Sequence, residues 1–340
     1  MNKNARTKGI KALLAGLGTG VLLSTSAMAD TLTIGYQGMM NPWKSVIDSE
    51  ALEQATGLEI EWRRFDSGAK VITAMASGDV DIASAGSSPI AAAVSRGVDV
   101  ELVWILENIN EAEALVVKDG SGIVAPQDLK GKTLGVPFVS TTHFHTLFAL
   151  EQFGLSDKDL KVLNMQPNAI SAAWTRGDID AAFIWDPVLG KLKQEGKVLV
   201  SSGELSRWGK ATFDGLLVNR EYGSEHPEVI AQMIKLISEA DEAYRSNRES
   251  LNDASPMVQS IARMTGGQAE NVLDVLALYE FVPLDKQLGC DWLECGADGG
   301  AARALFFTAE FLKAQGKVPA VKEDYSVYVN PSYARMAQEL

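Results

Sequence analysis

Apolar and polar positions along the chain alternate between two periods, and the switches between them mark an α/β order. Leu32–Tyr36 reads as a first strand, followed by a Gly-Met-Met-Asn-Pro loop and a helix from Trp43 to about Ala55. Leu58–Arg63 (LEIEWR) alternates with period two, as a half-buried strand does. The stretch Phe65–Pro89, FDSGAKVITAMASGDVDIASAGSSP, then gives a small-residue helix, a Gly-Asp turn, a short strand at Val80–Ala83 and a polar loop. Loops at the carboxyl ends of such strands are where open α/β sheets hold ligands.

The same grammar returns about a hundred residues on. Ser77-Gly78-Asp79-Val80-Asp81-Ile82-Ala83 lines up with Arg176-Gly177-Asp178-Ile179-Asp180-Ala181-Ala182, and LTIGYQG from Leu32 lines up with TLGVPFVS from Thr133. Two strand-then-loop openings and two GDxD closings at nearly one spacing predict two facing α/β lobes, residues 30–115 plus 217–340 and residues 116–216. Between them, Val100–Leu106, Ala114–Lys118, Leu160–Leu163, Ile179–Trp185, Val198–Ser201 and Gly215–Asn219 read as strands. Ala91–Arg96, a stretch ending near Phe153, Ala169–Trp174, Pro227–Asn247, Gln268–Tyr279 and Ala301–Gln315 have helical spacing. Two chain crossings between lobes, near Glu113–Lys118 and Asp214–Asn219, would form a hinge.

The amino terminus changes the compartment. Lys3, Arg6, Lys8 and Lys11 precede a short apolar core, Ala12–Leu23, and Ala27-Met28-Ala29 is a small-residue cleavage signal. Residues 1–29 therefore read as a secretory signal peptide, and the mature chain is expected in the periplasm. The remaining 311 residues carry 27 basic against 44 acidic side chains, a formal charge of −17. That argues against nucleic acid and anionic membrane as partners, though not against an anion in a local pocket. The two cysteines, Cys290 and Cys295, lie in LGCDWLECGADGG. In an exported chain they read as a disulfide closing a small loop; the rival, a C-x4-C metal site, lacks nearby third and fourth ligands. No metal and no cofactor is expected.

Two sets of residues offer chemistry. Helix N-termini present unpaired N–H groups and a positive dipole end. Gly86-Ser87-Ser88-Pro89 and Ser140-Thr141-Thr142 are two such starts bearing hydroxyls. Each alone is explained by capping its own helix; at corresponding positions of two lobes they read together as an anion site. The second set suits a cation: Trp185-Asp186 at a strand end, Asp214 before the return strand, and Glu107 after Val100–Leu106. A carboxylate beside an indole holds an ammonium by charge-assisted hydrogen bonds and cation–π attraction. The bland readings are a solvated Glu107, a turn-forming Asp186 and an Asp214 bonded to its own loop. Hydrolytic patterns are poor: no G-x-S-x-G occurs, and His143 and His145, two apart on a helix, point to different faces.

Four stretches together carry a resemblance: FDSGAKVITAMASGDVDIASAGSSPIAAAVSRG, GKTLGVPFVSTTHFHTLFALEQFGL, WTRGDIDAAFIWDP and AEFLKAQGKVPAVKEDYSVYV. The chain resembles the taurine-binding periplasmic proteins of ABC importers, within the wider group that binds sulfonates, nitrate and thiamine precursors. The resemblance spans nearly all of the mature chain. It implies a type II periplasmic binding fold with a cleft ligand, delivered to a membrane permease with its ATPase; with an export signal and no convergent acid–base or nucleophile pair, no enzymatic activity is expected. A monomer is expected. By position, it places Ser87, Ser88, Ser140, Thr141 and Thr142 in anion-side loops, and Gln37, Trp185 and Asp214 in cleft-lining segments. Taurine, a sulfonate two carbons from an ammonium, suits both sets. The chain departs from the group at Asp186, a position often apolar there, in Glu107–Glu111, and in the Cys290–Cys295 insertion. The alternatives are other alkanesulfonates or sulfate esters and, on the same fold, a lyase or dehydratase.

Overall fold

A computed structural model describes residues 31–340; the export leader expected at residues 1–29 lies outside them. Among the described residues ten strands form two five-stranded sheets. The first holds β1 (Leu32–Gln37), β2 (Ile60–Phe65), β3 (Ile82–Gly86), β4 (Val100–Asn108) and β10 (Phe213–Asn219), in the order β2-β1-β3-β10-β4. The second holds β5 (Glu113–Lys118), β6 (Thr133–Val136), β7 (Lys161–Asn164), β8 (Ala181–Trp185) and β9 (Gly196–Ser201), in the order β7-β6-β8-β5-β9. The plan is the same twice: three parallel strands, then an antiparallel strand, then one more.

The repeated GDxD stretch has one local structure in both places. The helix Gly68–Ser77 ends at Gly78, whose φ of 81° is open to glycine and strained for most side chains, and the Asp79 amide bonds back to the Ala74 carbonyl. The helix Pro167–Arg176 ends likewise at Gly177 with φ 78°, and the Asp178 amide bonds to Ala173. Asp81 and Asp180 then tie the turn to the neighbouring strand before the ladder begins, so the first strand starts at Ile82 and not at Val80. It runs on to Gly86. The expected Gly-Ser-Ser-Pro loop is therefore the strand end and first turn of the helix Ser87–Ser95.

Neighbouring strand residues send side chains to opposite faces. On the second sheet Leu115 and Phe183 pack with Phe148 on one face, while Val116 and Ile184 pack with Ile170 and Trp174 on the other. The first sheet is buried between the helices of its own crossovers and the long C-terminal helices Pro227–Asn247 and Gly300–Ala314, with Trp104 and Leu216 fully enclosed. Burying a side chain such as Leu216 contributes about 1.5–3 kcal/mol. Sheets covered on both faces have near-continuous apolar strands, as in VELVWIL.

Two expectations change. The helix expected from Trp43 to Ala55 is two, Lys44–Asp48 and Ala51–Thr56, separated at Glu50 with φ 53°; there Ser49 Oγ bonds the Ser45 carbonyl and competes with the helical ladder. The crossings expected near Glu113–Lys118 and Asp214–Asn219 lie just ahead of those segments. Those segments are full members of the sheets, because their backbone groups are paired on both sides. The chain passes between sheets at residues 109–112 and 202–212. Cys290 and Cys295 are disulfide-bonded. Trp292 inside that loop meets Phe213, the first residue of β10, edge-on with ring centroids 6.4 Å apart.

Candidate functional site

The carboxyl ends of β1, β3 and β8 and the starts of the antiparallel β5 and β10 come together between the two sheets. They line a small space of about 20 Å³. Gln37, Met39, Gly86 and Asp214 reach it from the first sheet, Glu113 and Trp185 from the second. Three helices, Gly68–Ser77, Ser87–Ser95 and Thr141–Gln152, begin on it through Gly68, Pro89, Ser140 and Thr141. Three positive dipole ends meeting in one small space make an anion-attracting pole.

Ser140 caps its helix: its Oγ accepts from the His143 amide at 3.0 Å, donates to the Pro137 carbonyl at 2.6 Å, and lies 2.8 Å from Thr142 Oγ1. Val139 before it sits at φ 58°, a strained conformation for a β-branched residue and of the sort that clusters at ligand sites. Ser87 and Ser88 stand behind the lining. The Ser87 hydroxyl accepts a long bond from the Phe213 amide, 3.4 Å, and the buried Ser88 hydroxyl has no partner. Contact across the space is tight: a methyl added at Gly86 would stand 2.7 Å from Thr141 Cγ2 and 3.2 Å from Asp214 Oδ1.

The acids divide into a lining set and a supporting set. Asp214 lies directly opposite Glu107 in the β10–β4 ladder. Glu107 is wholly buried behind it; Oε1 accepts from Asn41 Nδ2 at 2.9 Å, and Asn41 Oδ1 in turn accepts from Lys44 Nζ at 3.0 Å. Lys44 is itself fully buried, 4.1 Å over the Trp43 ring. Burial pushes the Asp214 carboxyl up to about 6 and the Glu107 carboxyl well above the usual range, the latter further raised by Asp214's charge. Burial lowers the Lys44 ammonium to about 7. Two carboxyls facing each other out of water favour sharing a proton.

Sequence reasoning missed Glu113. It is buried, accepts from Thr141 Oγ1 at 2.5 Å, and lies 3.2 Å from Ser202 Oγ; burial, then Asp214's charge, raises it to about 8. The sequence shows only an acid ahead of an apolar run, EALVVK, which carries no sign of its burial. Asn41 and Lys44 carry no pattern that sets them apart from surface residues. Of the expected residues, Gln37, Ser140, Thr141, Trp185 and Asp214 line the space together. Asp186 does not join them. Its Oδ1 accepts from the Gly190 amide at 2.9 Å, and it borders a separate groove of about 610 Å³ with Met40, Pro187, Lys191 and Asn271.

Both helix histidines are engaged. Val139 donates its amide to His143 Nδ1 at 3.2 Å, and the ring stacks on Phe138 at 4.4 Å. His145 lies 2.8 Å from Ser202 Oγ through Nδ1 and 2.7 Å from the Lys210 carbonyl through Nε2. Burial lowers both to about 4, so both are neutral at pH 7. Among the described residues no group of three His, Cys, Asp or Glu is arranged to hold a metal ion, and no helix is long and apolar enough to cross a membrane.

Comparison with known proteins places these features in context. Residues 54–249 match the NMT1/THI5-like family. The taurine-binding periplasmic protein of Escherichia coli (strain K12) is 36% identical over 323 residues, covering 95% of this chain and 98% of that one. The alkanesulfonate-binding protein SsuA from Xanthomonas axonopodis pv. citri, solved bound to MOPS, superimposes with a TM-score of 0.71 at 26% identity, covering 89% of this chain and 97% of its own. The periplasmic aliphatic sulphonate binding protein SsuA from Escherichia coli gives 0.70 at 25%, covering 90% and 99%.

Proposed function

Because the chain belongs to the NMT1/THI5-like family, we propose that it is the ligand-collecting component of an ABC importer, binding taurine or a close aminosulfonate between its two sheets. The observation that carries this reading is the small space in which three helix N-termini face the buried carboxyl of Asp214. A sulfonate accepts from the helix-start amides and hydroxyls, and an ammonium two carbons away meets Asp214 beside the Trp185 indole. A purely anionic sulfonate would leave that acid unpaired beside a second anion, which is costly out of water.

The two sheets act as the cores of two lobes, and the crossings at 109–112 and 202–212 serve as the hinge. A space of about 20 Å³ holds little more than one water-sized group, so entry of the ligand requires the sheets to part and capture requires them to return. A permease with its ATPase reads the closed form in the periplasm. Residues 1–29 supply the export signal. The role is one of binding and not of catalysis: the two helix imidazoles are neutral and committed to structural bonds.

Titration calorimetry tests the reading, using mature protein unfolded and refolded to strip carried ligand. Tight taurine with weak ethanesulfonate and weak ethylamine is the expected result. Equal affinity for ethanesulfonate would make the protein a general sulfonate binder, and silence from all three would remove the aminosulfonate assignment. Small-angle scattering should show compaction on saturation; an unchanged radius would sink the hinge.

A further inference from the structure

Glu113 is joined to a chain of hydrogen bonds whose direction is fixed at its far end. His145 Nε2 lies 2.7 Å from the Lys210 carbonyl, which only accepts, so Nε2 carries a proton. With Nε2–H donating and the ring neutral, Nδ1 is bare and must accept from Ser202, 2.8 Å away. The single Ser202 hydroxyl proton is then spent on His145, and Ser202 Oγ faces Glu113 Oε2 at 3.2 Å as an acceptor. In this placement the proton between those two oxygens belongs to Glu113. Thr141 Oγ1 donates to the other oxygen, Oε1, as to the carbonyl of a carboxylic acid.

The chain admits a second placement of the same proton, on Nδ1 as imidazolium, with Ser202 donating to a Glu113 carboxylate. That separates two charges within a fully buried chain, where solvation of either is lost. Burial acts against both ions: it lowers His145 to about 4 and raises Glu113 to about 8. The other titratable groups around Glu113 reinforce this. Asp214 from β10 raises it by like charge, and Tyr279 from the C-terminal helical segment is uncharged. Of the cations on the second crossing, Arg207 is paired with Glu111 at 3.0 Å, and the Lys210 ammonium lies 5.9 and 5.8 Å over the Phe148 and Phe311 rings.

Resting on the aminosulfonate reading, we propose that Glu113 meets the ligand as an uncharged carboxylic acid, held so by the chain through Ser202 and His145 to the Lys210 carbonyl. Asp214 is then the counter-charge of the amine, and Glu113 sets specificity by its neutrality. A second carboxylate at Glu113, touching the helix start at Thr141, would repel a sulfonate seated there. As a neutral acid it lets the two poles of a short zwitterion share one small space. Its bonds to Thr141 and Ser202 also link the helix start to the second crossing.

Infrared difference spectroscopy of the mature protein reads the charge state directly, with Glu113→Gln assigning the band. At pH 7 the wild type should show the carbonyl stretch of a protonated carboxyl that E113Q lacks and that titrates away as pH rises past about 8. Calorimetry in buffers of different ionisation heat should give the same proton count on taurine binding for wild type and E113Q. E113Q should weaken taurine at least about tenfold less than D214N does. No such band in the wild type, or equal losses in the two variants, overturns the proposal. The band is read without taurine, so a protein that carries it and ignores taurine would refute the aminosulfonate reading and leave the protonation state standing.

Discussion

The Asp180 carboxylate accepts from the Thr133 amide at 2.9 Å while its own amide donates to the Thr133 carbonyl at 2.8 Å. Asp81 and Thr33 make the same two bonds in the first sheet, at 2.9 and 3.0 Å. Each aspartate closes its Gly-Asp turn against the first strand of its sheet and sets the parallel register that begins one residue later. Asp180→Ala leaves the Thr133 amide without its partner and should cost about 1–3 kcal/mol. The check is a shift of the urea midpoint at unchanged slope. An effect within error would mean that water replaces the carboxylate fully.

Asp214→Asn removes the counter-charge while keeping the shape. Taurine affinity should fall more than about tenfold, and ethanesulfonate affinity should fall less or rise. Equal losses for both ligands, read by calorimetry, would take Asp214 out of amine recognition.

Much of this arrangement is legible in the chain. The duplicated GDxD turns are readable because glycine, aspartate and strand follow a fixed local chemistry that repeats. Ser140 is readable as a cap because a helix start must satisfy its amides. Glu113 is not, since burial of an acid depends on what the second crossing lays over it, and Ser202 and His145 are 89 and 32 residues away. For the same reason the sequence treats Asp186 and Asp214 as equals. The Gly190 amide, four residues beyond, turns the first aside.

Acidity should move binding and stability in opposite directions. The Asp214 carboxyl is raised to about 6, so below that pH an ammonium ligand must displace a proton. Affinity should then fall by about tenfold per pH unit and level off above. The ligand-free protein behaves the other way. Asp214 and Glu113, raised to about 6 and about 8 in the fold, contribute stability present below the ordinary carboxyl range and lost as pH rises through those values. Calorimetry and thermal melts from pH 5 to 9 check both signs. A ligand-free melting point that climbs steadily with pH across that range would contradict the burial of these acids.

Gly86→Ala places a methyl 2.7 Å from Thr141 Cγ2, a contact that exists only where elements of the two sheets meet. The variant should fold, with its melting point shifted little, yet bind taurine at least about tenfold more weakly and compact less on saturation in scattering. Unchanged affinity would show that the sheets need not approach so closely.

The position of β10 has a consequence for biosynthesis. It lies between β3 and β4 in the first sheet but follows them in the chain by more than a hundred residues, after every strand of the second sheet has been made. As the chain emerges amino end first, residues 113–201 can finish their sheet at once, whereas β1–β4 must wait with a gap between β3 and β4. The half made first is thus completed last, and until Phe213–Asn219 arrives its two unpaired inner edges are open to wrong partners. A chain made in this order needs its early half kept from premature pairing until one seven-residue strand is inserted.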